Sequence, residues 1–103
     1  YAWLYPNWMF NRYGNILDIN WVIPTGPQTC QTVFEYFFVD ATDNEFIERS
    51  LAASHQVQLE DIAICESVQR GLASKGYDLG RYAPSLEMGE YAFHHWLARD
   101  LKG

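Results

Sequence analysis

The chain has 103 residues, 49% of them apolar and 17% aromatic, with 13 acidic against 7 basic side chains and a net charge of −6. Such a composition forms a core, which excludes a disordered chain. An acidic protein without a basic patch is excluded as a binder of phosphate backbones, and no apolar run reaches the length of a membrane-spanning helix.

The chain opens without Met on Tyr1-Ala-Trp-Leu-Tyr5, inside a strand-like run, and reads as a piece whose N-terminus lies elsewhere. Residues 1–40 are predicted to be strand. A dense aromatic run from Tyr1 to Phe10 is followed by Asn11-Arg-Tyr-Gly-Asn15, which supplies turn chemistry around Gly14. Leu17, Ile19, Trp21 and Ile23 then alternate with Asp18 and Asn20, the period of a strand. Pro24-Thr-Gly-Pro27 is expected to stop that strand, and a third, Gln28 to Val39, sets Cys30, Thr32, Phe34, Tyr36 and Phe38 on one face. The expectation is an antiparallel meander of three strands.

From Asp43 the period lengthens to about 3.6 residues. Thr42 or Asp43 can cap a helix running over about 43–72, and Glu45 lies in its first turn, where the helix dipole favours negative charge. An irregular loop, 73–86, leads to a second helix over 87–101. Sheet, long helix, loop and short helix make an α+β fold, with the long helix packed on an antiparallel sheet.

On a helical wheel Asp61 shares a side with Ile47, Leu51, Ile62, Cys65, Val68 and Leu72. A lone carboxylate in an apolar interior protonates, finds a cation or binds a metal. No Lys or Arg stands three or four residues away, so a divalent metal is one reading of Asp61 and a solvated helix edge is the other. Adjacent residues on a helix diverge by roughly 100°, so His94-His95 does not chelate one ion from one face, and His55 lies off the face of Asp61. Trp3, Tyr5, Trp8, Phe34 and Tyr36 are ordinary core residue types that also build cages around quaternary ammonium groups. Cys30 and Cys65 form no CxxC zinc signature. They leave a disulfide open, but two thiols without a framework suit a reducing compartment better, and a cytoplasmic location is expected.

Several stretches resemble the late catalytic-domain strands of Rieske non-haem iron oxygenase α-subunits, nearest to choline-monooxygenase-like members. They are Tyr5-Pro-Asn-Trp-Met-Phe-Asn-Arg-Tyr-Gly14, Leu17-Asp-Ile-Asn20, Pro24-Thr-Gly-Pro27 and Phe34-Glu-Tyr-Phe-Phe38. Val57-Gln-Leu-Glu-Asp-Ile62, Cys65-Glu-Ser-Val-Gln-Arg-Gly-Leu72 and Tyr77-Asp-Leu-Gly-Arg-Tyr-Ala-Pro84 continue the likeness in order, and Glu87 to Leu101 looks like the closing helix.

This resemblance implies a helix-grip (START/Bet v1-like) catalytic domain of which residues 1–103 are the C-terminal portion. It implies a mononuclear Fe(II) held by two histidines and one carboxylate, with Asp61 as the carboxylate by position. It also implies a [2Fe-2S] Rieske cluster, with a ferredoxin or reductase as electron donor and a homotrimeric parent. The Asp-x-x-His-x-x-x-x-His stretch that carries the two histidines has no match in this chain, nor do the cluster's Cys and His pairs. The chain alone is therefore expected to be inactive. For the intact protein the resemblance implies hydroxylation with O2 of a quaternary amine of the choline, betaine or carnitine kind, or of an aromatic ring. Tyr5, Tyr36 and Gln58 are the expected substrate contacts. The competing class is a non-catalytic hydrophobic-ligand module on the same kind of fold.

Overall fold

The computed structural model describes residues 1–103. Four strands, β1 (Ala2–Leu4), β2 (Trp8–Tyr13), β3 (Ile16–Gly26) and β4 (Thr29–Phe38), are followed by helices α1 (Asn44–Leu72) and α2 (Met88–Lys102). The sheet order is β1-β2-β3-β4, antiparallel throughout. The chain is α+β, with a four-stranded meander where three strands were expected.

The extra strand comes from a break at Tyr5–Asn7. Pro6 has no N–H for a ladder, and the aromatic residues on both sides hide that break in the sequence. Asn7 bridges it: its Nδ2 donates to the Val22 carbonyl at 2.6 Å, and its own carbonyl accepts from the Val22 N–H at 3.1 Å.

Between β2 and β3 the turn is Gly14-Asn15, at the glycine on which the expected turn centres, with Gly14 at φ 55°. That left-handed conformation favours glycine. The other correction concerns Pro24. It does not end β3 but pairs with Cys30 of β4, and the strand reaches Gly26 across a register irregularity. Proline is tolerated in a strand where its missing N–H faces no neighbour. β2 has already ended by then, since its first residue, Trp8, pairs with Trp21.

Asp43 caps α1, its Oδ1 accepting from the Phe46 N–H at 3.1 Å. Thr42, the alternative cap, bonds to the Asp40 carboxylate instead, and those bonds hold the Asp40 carboxyl below its ordinary value. Both helices meet the same face of the sheet. Phe46 of α1 sits edge-on to Phe38 at 6.1 Å, and Ser54 bonds to Tyr36. On α2, Phe93 and Trp96 meet Trp3 at 5.5 and 5.6 Å, one turn apart as a helical face requires.

Contact between α1 and the sheet stays within the helix's N-terminal half. Phe46, Ile47, Ser50, Ser54 and Gln58 are half-buried, whereas Asp61, Ile62, Cys65, Val68 and Leu72 are exposed. The expected long helix lying on the sheet is met only along that half. The radius of gyration is 16.7 Å, with extents of 50 × 29 × 26 Å, against about 13 Å for a compact domain of this length. No apolar side chain is fully buried.

Candidate functional site

The register divides the sheet into two faces. One carries Leu4, Trp8, Phe10, Leu17, Ile19, Trp21 and Phe37, and no helix covers it. The other, which the helices meet, carries Trp3, Met9, Asn11, Asp18, Asn20, Val22, Phe34, Tyr36 and Phe38. The alternation expected for β3 is present, but the side turned toward the helices is the one bearing Asp18 and Asn20.

Asp18 is the one buried residue of the chain, 9% exposed. Its Oδ1 accepts from the Nδ2 of Asn11 at 2.7 Å and from the Nδ2 of Asn20 at 2.9 Å. Asn11 Nδ2 also lies 3.3 Å from Asn20 Oδ1. Tyr36 stands across from Asp18 on β4, and Phe34 across from Asn20. The rings of Phe34 and Tyr36 are stacked at 6.4 Å. On the same face, the Tyr13 hydroxyl is pushed up to about 12, by partial burial first, then by its bond with Tyr1 and the charge of Asp18.

This cluster was not among the expected sites, although the sequence held the signal. A two-residue turn at Gly14-Asn15 pairs residues symmetrically about it, which sets Asn11 beside Asp18 and Met9 beside Asn20.

The expected substrate contacts do not share one cavity. Tyr5 donates its hydroxyl to Asp100 Oδ2 of α2 at 2.7 Å. That bond, the largest cause, raises the Tyr5 pKa and lowers that of Asp100. Tyr36 spends its hydroxyl on Ser54 Oγ at 2.5 Å. Gln58 lies one turn beyond Ser54 on the same side of α1 and is half-buried. Tyr36 and Gln58 thus belong to the junction of α1 with the sheet, while Tyr5 belongs to that of α2.

Asp61 continues the helix face of Ser54 and Gln58, at i+7 and i+3. It stands about 10 Å beyond Ser54 along the axis, where no part of the chain covers it, so the burial expected of it is absent here. No three His, Cys, Asp or Glu side chains come together to hold a metal ion. His55 is exposed; His94 pairs through Nδ1 with the Tyr82 hydroxyl, and His95 packs on Tyr91 at 4.3 Å. The residues of this chain do not by themselves form a metal centre, and Asp61 fits one only as a single ligand. Between the helix-facing side of the sheet and α2 lies an open cleft of about 670 Å³, lined by Trp3, Met9, Val22, Phe93, His94 and Leu97 among others.

The family model for the ring hydroxylating alpha subunit (catalytic domain) matches residues 1–103. The chain belongs to that family. Among curated relatives of this α-subunit chain, the chloroplastic choline monooxygenase of Arabidopsis thaliana is 51% identical over 99% of the chain. That of Spinacia oleracea is 40% identical over 99%. A putrescine 2-hydroxylase of Bordetella bronchiseptica is 29% identical over 92%. The chain spans 24% of the length of each of these relatives. No solved structure matches it significantly.

Proposed function

We propose that residues 1–103 are the C-terminal portion of the helix-grip catalytic domain of a Rieske-type non-haem iron oxygenase, and that the intact protein hydroxylates a small amine with O2. Similarity over the whole chain to relatives named for choline and for putrescine carries this reading. Both names denote aliphatic amines that are cationic at neutral pH, and this favours an amine of the choline, betaine or carnitine kind over an aromatic ring. On this reading the intact protein carries a mononuclear Fe(II) and a [2Fe-2S] cluster, takes electrons from a ferredoxin or reductase, and assembles as a homotrimer. When bound, the ferrous ion supplies activation of dioxygen.

The contribution of this chain is binding and orientation. Asp61, on the face of α1 that continues the sheet contact, offers one carboxylate ligand to the iron, and the two histidines come from outside residues 1–103. Tyr36, tied to Ser54, fixes the first half of α1 on the sheet and so sets the angle at which Asp61 leaves it. Gln58, between them, is positioned to touch substrate. Isolated, the chain holds one ligand of three and is inactive.

The test uses the intact protein, assayed for iron content and for turnover of choline, carnitine, putrescine and a benzoate-type arene. Asp61→Ala is expected to lose iron, and at least one amine is expected to be oxidised by the parent protein. Turnover of the arene alone overturns the amine assignment. Iron retained in full by Asp61→Ala overturns the ligand assignment. The apolar cleft beside α2 favours a second reading, a non-catalytic hydrophobic-ligand module; it takes over if the intact reading frame lacks both the two-histidine stretch and the Rieske ligands.

A further inference from the structure

A carboxylate on the covered side of a sheet calls for a counter-charge, and Asp18 has none within the chain. The one ion pair present joins Arg99 to Asp100 on α2. Arg12, the nearest basic residue in sequence, pairs with Leu17 on the uncovered face and turns its Nε to the Gly14 carbonyl. Asn11 and Asn20 both donate to Oδ1, and two neutral amides leave the charge itself uncompensated. The other oxygen, Oδ2, accepts no hydrogen bond and is not sealed from solvent. Across the ladder stand Tyr36 and Phe34, stacked on each other.

A half-satisfied carboxylate beside aromatic rings is the chemistry that recognises an ammonium group: the anion gives direction and the ring faces give cation–π attraction. Tyr36 is held by Ser54, so these groups lie where α1 crosses the sheet, with Asp61 about 10 Å farther along the same helix face.

We infer that Asp18 is the specificity-determining counter-charge for the substrate's ammonium group, held in place by Asn11 and Asn20 and walled by Tyr36 and Phe34. The inference rests on the amine reading given above. It assigns Asp18 recognition of the cation and no part in the oxidation.

The test is equilibrium binding to the intact protein, read by tryptophan fluorescence, with choline and with its uncharged carbon isostere, a dimethylbutanol. Wild-type protein is expected to prefer choline by about tenfold or more. Asp18→Asn keeps an acceptor oxygen for the two amides and removes the charge. It is expected to weaken choline by about tenfold while shifting the isostere by no more than about twofold. Equal weakening of both ligands, or none, overturns the inference.

Should Asp18→Asn fail to fold, Asp18→Glu decides. With the charge retained, its choline preference is expected to stay within about threefold of wild type, and loss of that preference overturns the assignment. Wild-type protein that binds the arene and no amine sinks the amine reading and this inference together. Wild-type preference for choline that survives Asp18→Asn sinks only the inference.

Discussion

The two faces of the sheet differ in a way that inverts the usual rule. The face rich in Leu17, Ile19, Trp21 and Phe37 has no helix over it, with Trp21 39% and Phe37 51% exposed. The face bearing Asn11, Asp18 and Asn20 is the one that α1 and α2 meet, through Tyr36 and Phe38 and through Trp3, and Asp18 is its most buried residue at 9%. An exposed aromatic is ordinary, whereas a buried carboxylate is informative. Folding places a charge under cover only at a cost, which is why the proposed recognition of an ammonium group is drawn on the helix-facing side. The uncovered side is apolar surface of the kind that seeks a partner.

The largest effect expected concerns Asp61, farther along α1 from its contact with that side. In the intact protein Asp61→Ala should lower bound iron, measured by metal analysis, by more than the roughly 10–100-fold that loss of a mere outer-shell partner costs. Unchanged iron would break the link between the covered face and the metal.

Next comes a direct contrast of faces. Asp18→Ala should destabilise by about 1–3 kcal/mol, because two half-buried amides lose their acceptor. Glu35→Ala, on the opposite face across from Ile19, should stay within about 0.5 kcal/mol. Urea unfolding of both variants compares them, and equal losses would erase the distinction.

Tyr36→Phe keeps the ring but removes the bond to Ser54, and should cost about 1 kcal/mol with a raised KM for the amine. A melting curve and steady-state kinetics check it.

The smallest effect is a pH dependence at the other junction, Tyr5 with Asp100. The carboxyl of Asp100 is lowered by its bond from Tyr5, so its contribution is present above the ordinary value of 3.8 and fades as pH falls through and below it. Tyr5 is raised, so its share is present below 10.0 and is lost as pH rises beyond that. Both groups are solvent-screened. Asp100→Asn should flatten the acid limb of a melting-temperature profile slightly, leaving the limb set by other carboxylates.

Much of the local structure was legible in the residues. The change of period near Asp43 gives α1, and Asp43 itself supplies the cap. α2 begins at Met88, one residue from its expected start. Two strand boundaries were misread for identifiable reasons. Pro6 splits what looked like one aromatic strand into β1 and β2, and Pro24 sits inside β3 because β2 no longer runs beside it. A proline's effect depends on whether a neighbour needs its N–H, which is a fact about the sheet and not about the tetrapeptide.

The candidate site was legible in a different degree. Asp61 was singled out from helical phase and resemblance, and the burial that phase implied is absent from these residues; Asp18 and Asn20 were read only as the polar half of an alternation, and Asn11 as part of a turn.

Periods, caps and turns were determined by the sequence alone, because they depend on residues a few positions apart and on backbone sterics. Which face of the sheet the helices cover, and hence that Asp18 is buried while Trp21 is bare, was decided only by tertiary structure. Alternation assigns side chains to two faces without saying which lies inside; that depends on where α1 and α2 cross the sheet, through Phe46, Ser54, Phe93 and Trp96.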